Sequence, residues 1–498
     1  MRFPRASGVL LHITSLPGPN GSGDFGPSAY HFVDWLHTAG QSLWQILPLT
    51  GVGPGNSPYM SSSAFAGNLM LIDLSELHRH GWLTADEVIA PGTQNLLKID
   101  FGQIYPFRMS RLKLAAERFR QARDAETTAR YQQFCQEQAQ WLDDFALFMT
   151  LAEASGWRDW CDWDAALARR NPQALAQAHE HHAERVAFWK FCQWCFFHQW
   201  HQLKGYANAR GIKIVGDVPI FLAHQSAEVW CRPELFELDG HGRPTVIAGV
   251  PPDVFSATGQ RWGNPLYRWS AHEAEHFQWW IQRIQRCFDL VDLVRIDHFR
   301  GFEAYWEVPA SEATAVHGRW VKAPGDALFC AVTAALGPQP IIAEDLGIIT
   351  PEVDHLRRKH GFPGMRILQF AWGETGEPRF LPHQHEPDTV VYTGSHDNDT
   401  TLGWWEHAPE VIRHHLREYL ASDGRDVGWD LIRTACASVG DLAIYPMQDI
   451  LRLRGEHRMN LPGSSQDNWS WRFDWSQVDA SHADRLRHMC ALYDRLPT

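Results

Sequence analysis

Eight short apolar runs punctuate the chain, each ending in polar residues: 9–13 (VLLHI), 43–49 (LWQILPL), 212–220 (IKIVGDVPI), 290–299, 340–346 (PIIAEDL), 365–370 (MRILQF), 390–397 (VVYTGSHD) and 442–449 (LAIYPMQD). Their hydrophobicity is continuous rather than alternating, the mark of parallel strands covered on both faces. Helical patterns lie between several of them. TPEVDHLRRKHG opens with Thr350 at the N-cap and Pro351 in the first helical position, carries its basic residues late, and stops at Gly361. PSAYHFVDWLHTAG (27–40) and GDALFCAVTAALG (325–337) are likewise helical and end on glycine. Eight strands with intervening helices predict an α/β fold, a (β/α)₈ TIM barrel.

Two connections are too long for ordinary loops. The first predicts a helical insertion over about 75–180, after the second strand; the second a loop insertion over about 224–270, after the third, rich in Gly, Pro and Asn. No repeat or low-complexity linker divides the chain, so residues 1–498 are expected to form a single catalytic domain.

The net charge of −13 is dispersed, which argues against nucleic acid and anionic membranes as partners and suits a neutral substrate. No apolar run reaches the ~20 residues of a membrane span, and the N-terminus reads as no signal peptide. Nine scattered cysteines fit reduced thiols in a cytoplasm. The chain has 24 Trp; some will be core, and others can serve as flat platforms for the apolar faces of sugar rings.

The active site of such a barrel lies at the C-terminal ends of its strands. Those ends offer His12, Asp217, Arg295, Asp297, His298, Glu344, Asp345, His396 and Asp397. A salt-bridged strand end explains any one of these acids, but acids at the ends of strands three, four, five and seven together point to chemistry. Cleavage of a glycosidic bond needs one ionised and one protonated carboxyl group flanking an anomeric carbon, and no metal. Arg295, two residues before Asp297, shares its face and can hold that aspartate ionised. Glu344 needs a raised pKa to donate a proton.

RIDHFRG, AEDLG, SHDN and GDVPIF resemble, in order and spacing, the conserved regions of the α-amylase superfamily. SGVLLHITSLPGPNGSGDFG, WQILPL, SPYMSSSAFAGN, VPPDVFSATGQRWGNPLY and RMNLPG narrow the resemblance, nearly end to end, to the 4-α-glucanotransferases (amylomaltases, disproportionating enzymes). Neither the extra N-terminal domain of longer bacterial relatives nor the C-terminal β-sandwich of α-amylases is expected within these 498 residues. The resemblance implies transfer of an α-1,4-glucan segment to the 4-hydroxyl of glucose or of another α-1,4-glucan, with maltooligosaccharides as partners and no cofactor. It implies Asp297 as nucleophile, Glu344 as general acid/base and Asp397 as the carboxylate gripping sugar hydroxyls. Tyr59, Asp217, Arg295, His298 and His396 would bind the reacting glucose, while Trp262, Asn460 and Pro462 would line the acceptor side. Retention of configuration requires the two carboxyl groups to lie about 5–5.5 Å apart. A hydrolase with the same site is the nearest rival; a glucan-binding protein with a dead barrel is disfavoured because Asp297, Glu344 and Asp397 are all present.

Three weaker motifs point elsewhere. CQWC (192–195) lies in a strongly aromatic helix and reads as core. HEHHAE (179–184) lacks the HExxH order and reads as a solvated helix start rather than zinc ligands; GVGPGN (51–56) lacks the lysine of a phosphate loop and reads as turn chemistry.

Overall fold

The computed structural model describes residues 3–90, 97–122, 124–252, 256–374, 376–464 and 466–497. Among these described residues the strands are β1 (Ala6–Leu10), β2 (Leu43–Gln45), β3 (Lys213–Pro219), β4 (Val246–Val250), β5 (Gln260–Pro265), β6 (Leu293–Asp297), β7 (Ala304–Pro309), β8 (Arg319–Lys322), β9 (Ile341–Ala343), β10 (Gly364–Ile367), β11 (Thr389–Tyr392) and β12 (Leu442–Pro446). Eight of these close into a parallel barrel in the order β1-β12-β11-β10-β9-β6-β3-β2. The expected (β/α)₈ barrel is the fold, and each of the eight apolar runs overlaps one barrel strand, although β1 begins at Ala6 and shares only Val9 and Leu10 with its run. Val9, Ile214, Val294, Ile342, Val391 and Ile444 have no exposed surface, as double-sided cover requires.

The helices between strands keep the predicted punctuation. Pro351–Lys359 begins at proline, carries Arg357, Arg358 and Lys359 in its last turn, and is followed by Gly361 at φ 68°. Thr350 occupies the N-cap, but its side chain makes no capping bond. Basic residues at that end oppose the partial negative charge of the helix terminus. Pro27–Thr38 and Gly325–Leu336 also end beside left-handed glycines, Gly40 and Gly337.

Between β2 and β3 the chain forms the helices Phe101–Ala122, Ala125–Glu137, Ala139–Ala154, Pro172–His181 and Ala183–Asn208; residues 91–96 and 123 of this stretch lie outside the described residues. CQWC sits on the last of these helices with Cys192 and Cys195 buried and burial pushing both thiols up, so core packing is its role. HEHHAE falls where one helix ends and the next begins, rather than at a helix start alone.

The stretch after β3, read from sequence as loop, contributes strands. β4 and β5 pair antiparallel, and β4 also pairs with β7, giving a second sheet in the order β5-β4-β7-β8. Half of this sheet comes from the connection after β6, so no local hairpin signal announces it. Residues 253–255, within VPPDVFSATGQRWGNPLY, lie outside the described residues.

Candidate active site

The strand ends converge around one guanidinium. Arg295 is buried in β6, and the register sets Asp217 of β3 beside it. Its Nη1 donates to both Asp217 oxygens, at 2.7 and 2.6 Å, and its Nη2 donates to Asp297 Oδ1 at 2.8 Å. A buried guanidinium would be costly alone; two carboxylates with three short charge-assisted bonds offset that cost. Asp297 is left with its other oxygen unclaimed by Arg295 and with 29% of its side chain exposed. Burial raises its pKa, and the Arg295 charge pulls it back.

Glu344 follows β9, which pairs with β6 through Ile296 and Ala343. The Glu344 amide donates to the Ile296 carbonyl at 3.1 Å, and the Phe299 amide donates to the Glu344 carbonyl at 3.2 Å. Asp297 and Glu344 therefore stand next to each other on adjacent strand ends, where backbones run about 4.8 Å apart. The Glu344 carboxyl accepts from the amides of His298 (2.7 Å) and Leu346 (2.8 Å). Those bonds favour its ionised form, but burial and the Asp297 charge prevail and push its pKa up to about 8. Asp297 is hydrogen-bonded to the guanidinium and Glu344 is not, an arrangement that favours ionisation of Asp297 before Glu344.

Tyr59 reaches in from the loop after β2. Its hydroxyl lies 3.0 Å from Asp217 Oδ2 and 2.8 Å from His396 Nε2. Both contacts are satisfied when Tyr59 donates to Asp217 and accepts from the Nε2–H tautomer of His396. Burial, and next the Asp217 charge, hold the phenol protonated. The Tyr59 and His396 rings stack at 5.4 Å. Asp397, 42% exposed at its side chain, accepts from Asn460 Nδ2 at 2.6 Å and lies 3.4 Å from His396 Nε2.

His298 takes a left-handed backbone, φ 51°, which aims its amide at Glu344. Its ring meets Trp262 edge to face at 4.8 Å, and burial holds it neutral by lowering its pKa to about 3. His12 is kept neutral in the same way, by burial and then by the nearby His396. Buried ring nitrogens of His12, His298 and His396 have no partner, leaving hydrogen-bonding capacity for a ligand rich in hydroxyls. Trp262 is half-buried on β5; Pro462 is exposed in the turn beyond Asn460.

Asp345 does not join this rim. It faces away from the site, accepting from the Met365 amide at 2.7 Å and pairing with Arg366 and Arg357 at 3.2 and 3.7 Å. A side chain at Gly364 would put its Cβ 2.3 Å from that carboxylate, which explains the glycine. Just beyond the end of β9 the two side chains take separate partners, Glu344 the His298 and Leu346 amides and Asp345 the Met365 amide and Arg366. Conversely, sequence reasoning missed Arg458, which donates to the Asp397 and Asn460 carbonyls at 3.0 and 2.9 Å. It also missed Trp469, packed on Tyr59 at 5.7 Å. Arg458 was signalled by RMNLPG; nothing distinguished Trp469 from the other tryptophans.

Two mixed clusters elsewhere bring metal-ligand atoms within 4.8 Å of one another among the described residues, Asp159–Cys161–His224 and Asp326–Cys330–His360. Both are already engaged: His224 Nε2 with the Gly242 carbonyl at 2.7 Å, and Asp326 with Lys359 at 2.8 Å.

The family model for 4-alpha-glucanotransferase matches residues 11–477. The chain belongs to the 4-alpha-glucanotransferase family. A 4-alpha-glucanotransferase of Thermus thermophilus is 49% identical over 504 residues, covering 100% of both chains. One from Synechocystis sp. is 45% identical, covering 99% of this chain and 98% of the other. Among solved structures, an amylomaltase from Streptococcus agalactiae in complex with acarbose superposes with a TM-score of 0.95 at 40% identity, covering 99% of each chain. The expected enzyme class is thereby established. Among the described residues no helix of this glucanotransferase is long and apolar enough to cross a membrane.

Proposed function

We propose that the enzyme transfers segments of α-1,4-glucans by double displacement through a covalent glycosyl–Asp297 intermediate. One observation carries this: two neighbouring carboxyl groups in unlike surroundings, Asp297 hydrogen-bonded to Arg295 and Glu344 bonded to backbone amides, with burial and the Asp297 charge raising the Glu344 pKa to about 8. Asp297 attacks the anomeric carbon while Glu344 gives its proton to the glycosidic oxygen, and the shortened glucan leaves. Glu344, now a base, takes the proton from the 4-hydroxyl of glucose or of another glucan, which displaces Asp297. Two inversions retain the α configuration.

Asp397, steadied by Asn460, grips hydroxyls of the reacting sugar; Tyr59, Asp217, His298 and His396 shape the same subsite. Trp262, Asn460 and Pro462 face the acceptor, and the insertions after β2 and β3 wall the cleft of a single catalytic domain. Shielding from water favours transfer over hydrolysis. Acarbose bound to the Streptococcus agalactiae relative agrees with a glucan-like ligand here.

Maltotriose tests the reading. The expected product is a ladder of longer maltodextrins plus glucose, absent with Asp297→Asn. Simple shortening, or a ladder retained by that variant, would overturn it.

A further inference from the structure

The second sheet carries a feature that the proposed reaction does not use. Trp320 on β8 stands opposite Trp306 of β7, with ring centroids 5.2 Å apart at 68°. The Arg300 guanidinium covers one face of Trp320, 3.7 Å from its centroid. Arg300 is itself buried and anchored, donating through Nη1 to the Ile348 carbonyl and through Nε to the Ala304 carbonyl at 3.4 Å. Trp306 is fixed by its own bond from Nε1 to the Ala315 carbonyl, 2.8 Å. The indole is thus held from beneath and from the side, yet Trp320 remains 40% exposed and neighbouring Ile348 55%.

A buried guanidinium under an exposed indole is a costly way to decorate a surface, but it makes a rigid platform whose ordering entropy is spent before any ligand arrives. The ion pair of Lys322, on β8, with Glu303, the residue just before β7, supplies a polar edge. One flat apolar ring with a polar edge matches a sugar, which presents an apolar C–H face inside a rim of hydroxyls. The platform is also tied to both carboxyl-bearing loops: Arg300 lies three residues beyond Asp297, and Ile348 four beyond Glu344.

We propose that Trp320, backed by Arg300, is a binding platform for α-1,4-glucan chains long enough to extend beyond the reacting subsites. This rests on the transfer reading above, and it assigns to the second sheet a role in selecting long donors or acceptors. On this reading maltotriose is held by the reacting subsites alone, whereas amylose extends to the platform.

The test compares wild-type enzyme, Trp320→Ala and Trp320→Phe on maltotriose and on amylose. Removing the indole should raise KM for amylose about fivefold with kcat little changed, and leave maltotriose kinetics within about twofold; phenylalanine should recover most of the loss. Native gels cast with amylose should retard Trp320→Ala less than wild type, a readout independent of turnover. Unchanged amylose KM and retardation overturn the proposal. An equal fall on both substrates assigns Trp320 to packing and also overturns it. A changed sedimentation rate of the free enzyme makes this face an interface between copies and likewise overturns it. The wild-type product ladder from maltotriose reports separately on the transfer reading.

Discussion

Arg295 bridges Asp217 and Asp297 with one guanidinium, bonded to the first at 2.6 and 2.7 Å and to the second at 2.8 Å. The same side chain therefore fixes the orientation of Asp297 and keeps it ionised. Lysine presents a single ammonium and cannot span two carboxylates in this fork geometry. Arg295→Lys is expected to lower kcat by about 100-fold with a smaller effect on KM, measured on maltotriose.

The carboxyl pair sets a bell-shaped pH profile. Glu344 acts as an acid only while protonated, so kcat/KM should fall on the alkaline side with an apparent pKa near 8. Burial raises Asp297 above its ordinary 3.8, which moves the acidic limb upward as well. The folded state binds the Glu344 proton more tightly than the unfolded chain does. Its contribution to stability is thus complete below the ordinary value of 4.5 and is lost as pH rises through about 8. Glu344→Gln should abolish the alkaline limb of whatever activity remains. A limb that persists near 8 in that variant would assign it to another group.

Tyr59 connects Asp217 to His396 by a single hydroxyl. Tyr59→Phe keeps the ring stacked on His396 and deletes both bonds, leaving buried polar atoms short of a partner. A loss of roughly 1–3 kcal/mol in transition-state stabilisation is expected. It should appear as a fall of about tenfold to a hundredfold in kcat/KM, together with a lowered melting temperature from the stranded polar atoms.

Asn460 donates to Asp397 at 2.6 Å from a loop that Arg458 ties to the same segment. Asn460→Ala should free the Asp397 carboxylate to rotate and reduce kcat about tenfold. Asn460→Asp places like charges together and should be worse. Steady-state kinetics of the two variants decides whether the amide orients Asp397 or merely fills space.

Away from the chemistry, Arg357 has no exposed surface and serves Asp354, the Phe362 carbonyl and Asp345. Arg357→Met should destabilise the fold by about 3–5 kcal/mol by stranding buried acceptors. Because Asp345 faces away from the cleft, KM should stay within about twofold of wild type in the protein that remains folded.

The barrel was legible because continuous apolar runs closing on polar residues are what a strand covered on both faces needs, and because Pro351, Gly361 and Gly337 mark helix ends by backbone constraint alone. The pairing of Arg295 with Asp297 was legible for the same reason, since charge at the rim of such a strand requires a partner; the roles proposed for Asp297 and Glu344 rest on the family resemblance. Tertiary structure alone decided which acids share a face. Asp345 and Glu344 are neighbours in sequence yet take different partners, Asp345 the Met365 amide and Arg366 and Glu344 the His298 and Leu346 amides, because separate segments of the fold close around each side chain. It alone revealed the second sheet, whose paired strands lie on two separate connections, and the packing of Trp469 on Tyr59. It also raised the pKa of Glu344, because a pKa follows burial and neighbouring charge, and both exist only once distant segments have been brought together.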